Sequence, residues 1–168
     1  MSTLLITIVP SLLILLYFFL SDRFKEPKGT IALVFSLGVL ICLPAGIINE
    51  FMEKNFSNIF SEKLLFSFLG PAWGEEILKF LILYTIVLKR NEFNEPMDGL
   101  VYGVVVSLGF ATYENYTYVY EWAVMLAKEE NFSAEKFSYI VALARSYSAV
   151  PMHGLNGAVM GYYFGMYV

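Results

Sequence analysis

Residues 3–20 read TLLITIVPSLLILLYFFL, eighteen positions without a charge, interrupted only by Pro10. A helix rises about 1.5 Å per residue and the hydrocarbon core of a bilayer is about 30 Å thick, so a run of this length suits a membrane span. The run stops at Ser21, Asp22 and Arg23. It shows neither a basic leader nor a small-x-small cleavage site and is long for a signal-peptide core, so a retained helix is expected. Four further apolar stretches follow. The second is Thr30–Asn49, which Pro44 should bend. The third is Leu64–Leu88, which carries Glu75, Glu76 and Lys79. The fourth is Met97–Tyr120, which carries Glu114. The fifth is about Phe137–Val168, which carries Arg145 and His153 and should bend at Pro151. The expected fold class is all-α: a polytopic transmembrane helix bundle with about five spanning helices.

Composition points the same way. Of the 168 residues 58% are apolar and 15% charged, where soluble domains have about 45–50% and about 25%. Mean hydropathy is +0.62. A soluble chain this short cannot hide so much apolar surface. Cys42 is the single cysteine, which excludes a disulfide framework and a cysteine-based zinc site. A net charge of −4 gives no basic footprint for nucleic acid. There is no internal repeat, low-complexity segment or soluble domain.

The loops suggest an orientation. Arg23, Lys25 and Lys28 lie between the first two stretches, and Lys89 and Arg90 close the third, so both loops should be cytoplasmic. The loops holding Glu50, Glu53, Lys54, Glu62 and Lys63, and Glu121, Lys128, Glu129 and Glu130, show no such enrichment and read as outside. The N-terminus is then outside a cell membrane crossed several times. Trp122 and the tyrosines at 113, 116, 118 and 120 form an interfacial belt. Asn58–Lys63 reads as a short interfacial helix, and Asn131–Lys136 as a helix start with Ser133 as N-cap. The last stretch runs to Met166, Tyr167 and Val168 without a polar exit, so the natural protein is expected to continue with further helices.

An ionisable group at mid-bilayer costs about 2.5–3.5 kcal/mol on insertion scales, which makes the charges inside the apolar stretches functional candidates. Glu75 lies about 16 Å from the start of its stretch, and Glu114 about 24 Å from the cytoplasmic start of its own. His153, the only histidine, descends from the outside to meet that depth. Glu75, Glu76, Glu114 and His153 should therefore share one cavity in the outer half of the membrane. Glu75 and Lys79 are four apart and can pair. Glu75 and Glu76 diverge by about 100°, so one should act directly and the other support it. Phe110 shares a face with Glu114. Gly99, Gly103, Ser107 and Ala111 form one small-residue stripe leading to Asn115, and Gly157, Gly161 and Gly165 another headed by His153. Such stripes let helix backbones approach closely. Cys42 reads as an inert helix residue.

Hydrolysis within a membrane needs water, a base and a stabiliser for the oxyanion. A desolvated carboxylate can be the base, and a histidine can serve the oxyanion or the leaving amine. Alternatively, two carboxylates and a histidine form a three-ligand zinc site with an open position, and a further carboxylate serves as base. HExxH is absent.

Three motifs in order match one family. Glu75-Glu76-Ile77-Leu78-Lys79 resembles the EExxK motif of the PrsW-type intramembrane proteases. Asp98-Gly99-Leu100-Val101-Tyr102 looks like that family's DGxxY element, and Gly109-Phe110-Ala111-Thr112-Tyr113-Glu114-Asn115 resembles its GFxxxEN motif. Arg145, His153 and the glycines up to Gly161 resemble its third region. The resemblance covers about Gly70 to Gly165. The family is related to the CAAX-processing and bacteriocin-processing membrane proteases, which have a histidine where this chain has Glu114 and an asparagine where it has Gly157. With the resemblance, the chain is expected to be one membrane-embedded protease domain over 1–168, and the missing polar exit of its last stretch suggests truncation at the C-terminus. It implies cleavage of membrane-anchored proteins, anti-sigma-factor-like substrates in bacteria among them. On this reading Glu75 activates water, Glu76 assists, Lys79 tunes the pair, and Glu114 and His153 complete the site. Asn115 and Arg145 support it. If a metal such as zinc is used, Glu76, Glu114 and His153 are its ligands. Two rivals compete: a proton-coupled transporter, which buried Glu and His would also serve, and a non-catalytic membrane scaffold. The transporter lacks support from any inverted repeat or paired broken helices.

Overall fold

The computed structural model describes residues 2–56 and 72–166, all of them in helices and their connections. The expected helix at 58–63, the first part of the third apolar stretch (64–71) and the end at 167–168 lie outside the described residues. In chain order the helices are α1 (Thr3–Ser21), α2 (Lys28–Leu40), α3 (Cys42–Phe56), α4 (Trp73–Ile82), α5 (Pro96–Thr117), α6 (Ala123–Glu129), α7 (Ala134–Tyr147) and α8 (Ala149–Gly165). π-helical turns extend α4 over Leu83–Val87 and join α5 to α6 over Tyr118–Trp122.

Prolines place the breaks. A proline has no N–H for the carbonyl four residues before it. Pro44 leaves the Leu40 carbonyl without that partner, and α2 ends at Leu40 before α3 resumes at Cys42. Pro151 does the same to Tyr147, where α7 ends, so the expected bend falls at Ser148, with φ −119° and ψ −73°. Pro10 interrupts nothing, because α1 runs through it. The Ile6 carbonyl it deprives lies 2.8 Å from the Ser146 hydroxyl of α7.

The bundle is organised around α5, buried at every position from Val101 to Ala111. Against α8 the two backbones meet through the glycine stripes. A Cβ at Gly103 would lie 2.3 Å from the Gly157 carbonyl oxygen, and one at Gly161 would lie 2.2 Å from that of Gly99. A second close approach, between α2 and α5, was not anticipated: a Cβ at Gly38 would meet the Val106 oxygen, and one at Gly109 the Phe35 oxygen, each at 2.2 Å. Val34, Leu83, Val87, Tyr102, Val105 and Val106 fill the core beside these crossings.

The outer faces of α1 to α3 stay apolar. Leu13, Leu20, Leu40, Leu43, Ile47 and Phe51 are exposed, a surface that water would disfavour and acyl chains would cover. Among the described residues two helices are long and apolar enough to cross a membrane, Thr3–Ser21 and the kinked Lys28–Phe56. Of the five crossings expected, two therefore meet that measure among the described residues. The shortfall has local causes. The fifth stretch is split at Ser148 into helices of 14 and 17 residues. α5 is diluted by glycines and polar residues, which its neighbours cover. The described part of the third stretch is short. Ser133 does precede α7, but its hydroxyl caps no N–H; the Ser133 backbone oxygen instead accepts from Phe137 N at 3.0 Å.

Candidate functional site

The charged residues of the apolar stretches converge. Glu75 lies in the first turn of α4, Glu114 near the end of α5 and His153 one turn into α8, each partly buried. One carboxylate oxygen from each glutamate and one ring nitrogen lie within 4.8 Å of one another. The α5–α8 glycine contact produces this meeting, since His153 stands one turn before Gly157 and packs at 5.6 Å from the Phe110 ring.

Lys79 is the most enclosed member, at 0% exposure. Its ammonium bonds Glu76 Oε1 at 2.7 Å and His153 Nδ1 at 3.1 Å, and sits 4.3 Å from the centre of the Phe110 ring. A buried ammonium needs such partners to offset its desolvation. An ammonium has three donors and no acceptor. Nδ1 of His153 therefore accepts, and the ring proton sits on Nε2, which donates to Glu114 Oε2 at 2.9 Å.

Glu114 is held from a second side. Arg145 of α7 donates from Nη2 to Glu114 Oε2 at 2.5 Å and from Nε to Asn115 Oδ1 at 2.6 Å. Its guanidinium lies 3.9 Å from the Tyr118 ring centre. Asn115, fully buried, donates to the Thr7 carbonyl of α1 at 3.3 Å. Arg145 and Asn115 thus tie α1, α5 and α7 together beneath Glu114.

Glu75 differs from the other carboxylates. Its Oε1 accepts from Asn49 Nδ2 at 3.1 Å, and its other oxygen has no protein partner among the described residues. Two cations, Lys79 and Arg145, face Glu76 and Glu114, whereas Glu75 has only a neutral amide.

Every residue expected at the site is near it, but two pairings differ. Lys79 bonds Glu76, three residues away, and not Glu75. The carboxylate that joins Glu114 and His153 is Glu75's and not Glu76's, so the three-residue set able to hold a metal is Glu75, Glu114 and His153. Both glutamates lie within one turn of Lys79, and the position of His153 decides which one the ammonium meets. Asn49 and the stacking role of Tyr118 were missed. Asn49 carried a signal, being an amide at the end of an apolar run. Cys42 points its thiol at the Phe110 carbonyl, 3.3 Å away.

Known proteins match this chain over most of its length. A family model described as PrsW family intramembrane metalloprotease matches residues 26–168. The protein named Protease PrsW of Geobacillus kaustophilus is 33% identical over 94% of this chain and 63% of its own length. That of Bacillus subtilis is 35% identical over 94% and 65%, and that of Halalkalibacterium halodurans 31% over 98% and 69%. The chain thus spans a little under two thirds of the first two of these curated relatives. No solved structure matches it. With the family model covering all three motifs and the helices that carry them, the chain belongs to the PrsW family of intramembrane metalloproteases.

Proposed function

We propose that this protein is an intramembrane peptidase that cleaves membrane-anchored proteins, with Glu75 activating the attacking water. The convergence of Glu75, Glu114 and His153 within 4.8 Å carries the reading. Glu75 is the one carboxylate of the cluster without a cationic hydrogen-bond partner, so it is the one left to take a proton. It removes a proton from water, the resulting hydroxide adds to the scissile carbonyl, and the same proton passes to the leaving amine. His153 offers its Nε2–H to the developing oxyanion in exchange for Glu114. Lys79 holds the tautomer that makes this possible, and Arg145 with Asn115 holds Glu114 in register.

The donor set of one imidazole nitrogen and two carboxylate oxygens also fits the zinc ion that the family description implies. If zinc binds, Glu75, Glu114 and His153 would hold it, with His153 Nε2 giving up its proton and its bond to Glu114 and with Glu75 a ligand instead of the base, and the ion would polarise the carbonyl and lower the pKa of a bound water. The finer topology belongs to the same proposal: five crossings, the N-terminus outside, the site in the outer half of the bilayer, and one protease domain over 1–168. Anti-sigma-factor-like proteins are the substrate class we propose in bacteria.

The test is cleavage of a membrane-anchored reporter by purified protein in liposomes. Glu75→Gln should lower the rate by about 10²–10⁴-fold with an unchanged melting temperature. Full activity in that variant would remove Glu75 from the mechanism.

A further inference from the structure

A second carboxylate cluster lies at the other end of α5. Asp22 and Glu26 belong to the connection between α1 and α2, and Asp98 to the first turn of α5. At about 1.5 Å per residue, the sixteen positions from Asp98 to Glu114 put the two clusters about 24 Å apart along the helix. Asp22, Glu26 and Asp98 are 3%, 5% and 1% exposed, which is unusual for acidic groups without a cation. Among the described residues no lysine or arginine makes an ion pair with any of them.

Part of each carboxylate is engaged in building the site. Asp22 Oδ1 accepts from Phe24 N at 3.1 Å, closing the turn after α1. Asp98 Oδ2 accepts from Asn94 N at 2.8 Å and from Glu95 N at 2.9 Å, as the return half of a capping box. Glu26 Oε2 accepts from the hydroxyl of Tyr102, itself fully buried. What remains is notable: Asp22 Oδ2 and Asp98 Oδ1 are buried and have no hydrogen-bond partner among the described residues. Orphaned buried carboxylate oxygens are costly. Here they belong to a trio in which one oxygen from each residue lies within 4.8 Å of the others.

We infer that Asp22, Glu26 and Asp98 form a binding site for a hard divalent cation, distinct from the Glu75–Glu114–His153 cluster. The donors are all oxygens, which suit Ca²⁺, Mg²⁺ or Mn²⁺ and not the softer metals that seek imidazole or thiolate. Two oxygens bound to one Ca²⁺ at about 2.4 Å are at most about 4.8 Å apart, and one oxygen from each of the three residues falls within that limit. A bound cation would staple the α1–α2 connection to the start of the central helix.

The test uses the full chain, purified in detergent and stripped with EDTA. Ca²⁺, Mg²⁺ and Mn²⁺ are added in turn while the melting temperature is followed. Terbium, an oxygen-seeking probe that nearby tyrosines such as Tyr102 sensitise, gives the stoichiometry by luminescence. At least one of the three ions should raise the melting temperature, and terbium should bind one site per chain and be displaced by that ion. Glu26→Gln keeps the acceptor for Tyr102 and removes one charge, and Asp22→Asn keeps the turn. Each should weaken binding at least about tenfold. His153→Ala should leave it unchanged. Three results would each overturn the assignment: no ion stabilising the wild type, stabilisation that survives both carboxylate substitutions, or stabilisation lost with His153→Ala. The first, joined by a Glu26→Gln variant more stable than wild type in EDTA, would mean that a shared proton and not a metal occupies the trio.

Discussion

Gly154 and Gly157 lie one turn apart on α8, and the structure assigns them opposite responses to the same substitution. In Gly157→Ala the new Cβ would fall 2.4 Å from the Gly103 carbonyl oxygen, 2.6 Å from Ser107 Oγ and 2.7 Å from Ser107 Cβ. Ordinary contact begins near 3.4 Å, so α8 would have to withdraw from α5 by about 1 Å at the point of closest approach. In Gly154→Ala the Cβ would meet only Ile14 Cγ2 at 3.4 Å and Leu108 Cδ2 at 3.6 Å, both the ends of flexible side chains. Overpacking costs about 1–3 kcal/mol, while alanine in a helix gains up to about 1 kcal/mol over glycine. Gly157→Ala should thus lose stability on balance and Gly154→Ala should hold it or gain slightly. The consequence for activity is larger than for stability. His153 is on the same helix and its bond to Glu114 is 2.9 Å. A withdrawal of about 1 Å carries that contact beyond hydrogen-bond range. Reporter cleavage in liposomes, with thermal melts alongside, should show Gly157→Ala strongly impaired and Gly154→Ala near wild type. Equal activity in the two variants would refute the idea that the backbone contact sets the His153–Glu114 geometry.

Two further outcomes follow from the contacts around the site. Arg145→Lys should cost about 1–3 kcal/mol and lower the cleavage rate, because an ammonium cannot bond both Glu114 and Asn115 and stack on Tyr118; wild-type melting and kinetics would show that the fork is dispensable. Ser146→Ala should cost about 1 kcal/mol by removing the hydroxyl whose one proton is shared between the Ala142 carbonyl at 2.7 Å and the Ile6 carbonyl at 2.8 Å, and the same change in a Pro10→Ala background, where α1 supplies its own N–H, should cost less. Thermal melts of the four proteins in that cycle measure the coupling, and additive effects would mean that the hydroxyl does not compensate for the proline.

Much of this arrangement is legible in the residues, and the illegible parts share one cause. Apolar runs mark the helices, prolines mark the breaks to within a turn, and the stripes at 99, 103 and 107 and at 157, 161 and 165 identify which faces meet. These are properties of a single helix, and helical periodicity conveys them. Which of two neighbouring glutamates meets Lys79 is a property of three helices at once. Glu75 and Glu76 are both within reach, and only the imidazole coming from α8 selects between them. The Gly38–Gly109 approach is hidden for the same reason, since Gly38 belongs to no repeating stripe.

The connection after α1 shows the limit from the other side. By composition, Asp22 to Lys28 is a charged loop whose lysines and arginine set orientation. In the fold its basic and acidic members part company: Arg23 and Lys25 face outward, while Asp22 and Glu26 turn under the first turn of α5 to meet Asp98. A spacing of four residues in a loop carries no helical meaning, so nothing in the local pattern separates a solvated carboxylate from a buried one. In the DGxxY element Asp98 completes the capping box of α5 and Tyr102 lies in the core. Each side chain also has a second partner across the bundle, and that second set of contacts makes α5 carry a charged cluster at both ends. A buried helix with a carboxylate trio at one end and a histidine–glutamate cluster at the other would give the proposed catalytic residues a common frame, and cation binding at the trio, on our inference, would tighten the α1–α2 connection without touching Glu75, Glu114 or His153.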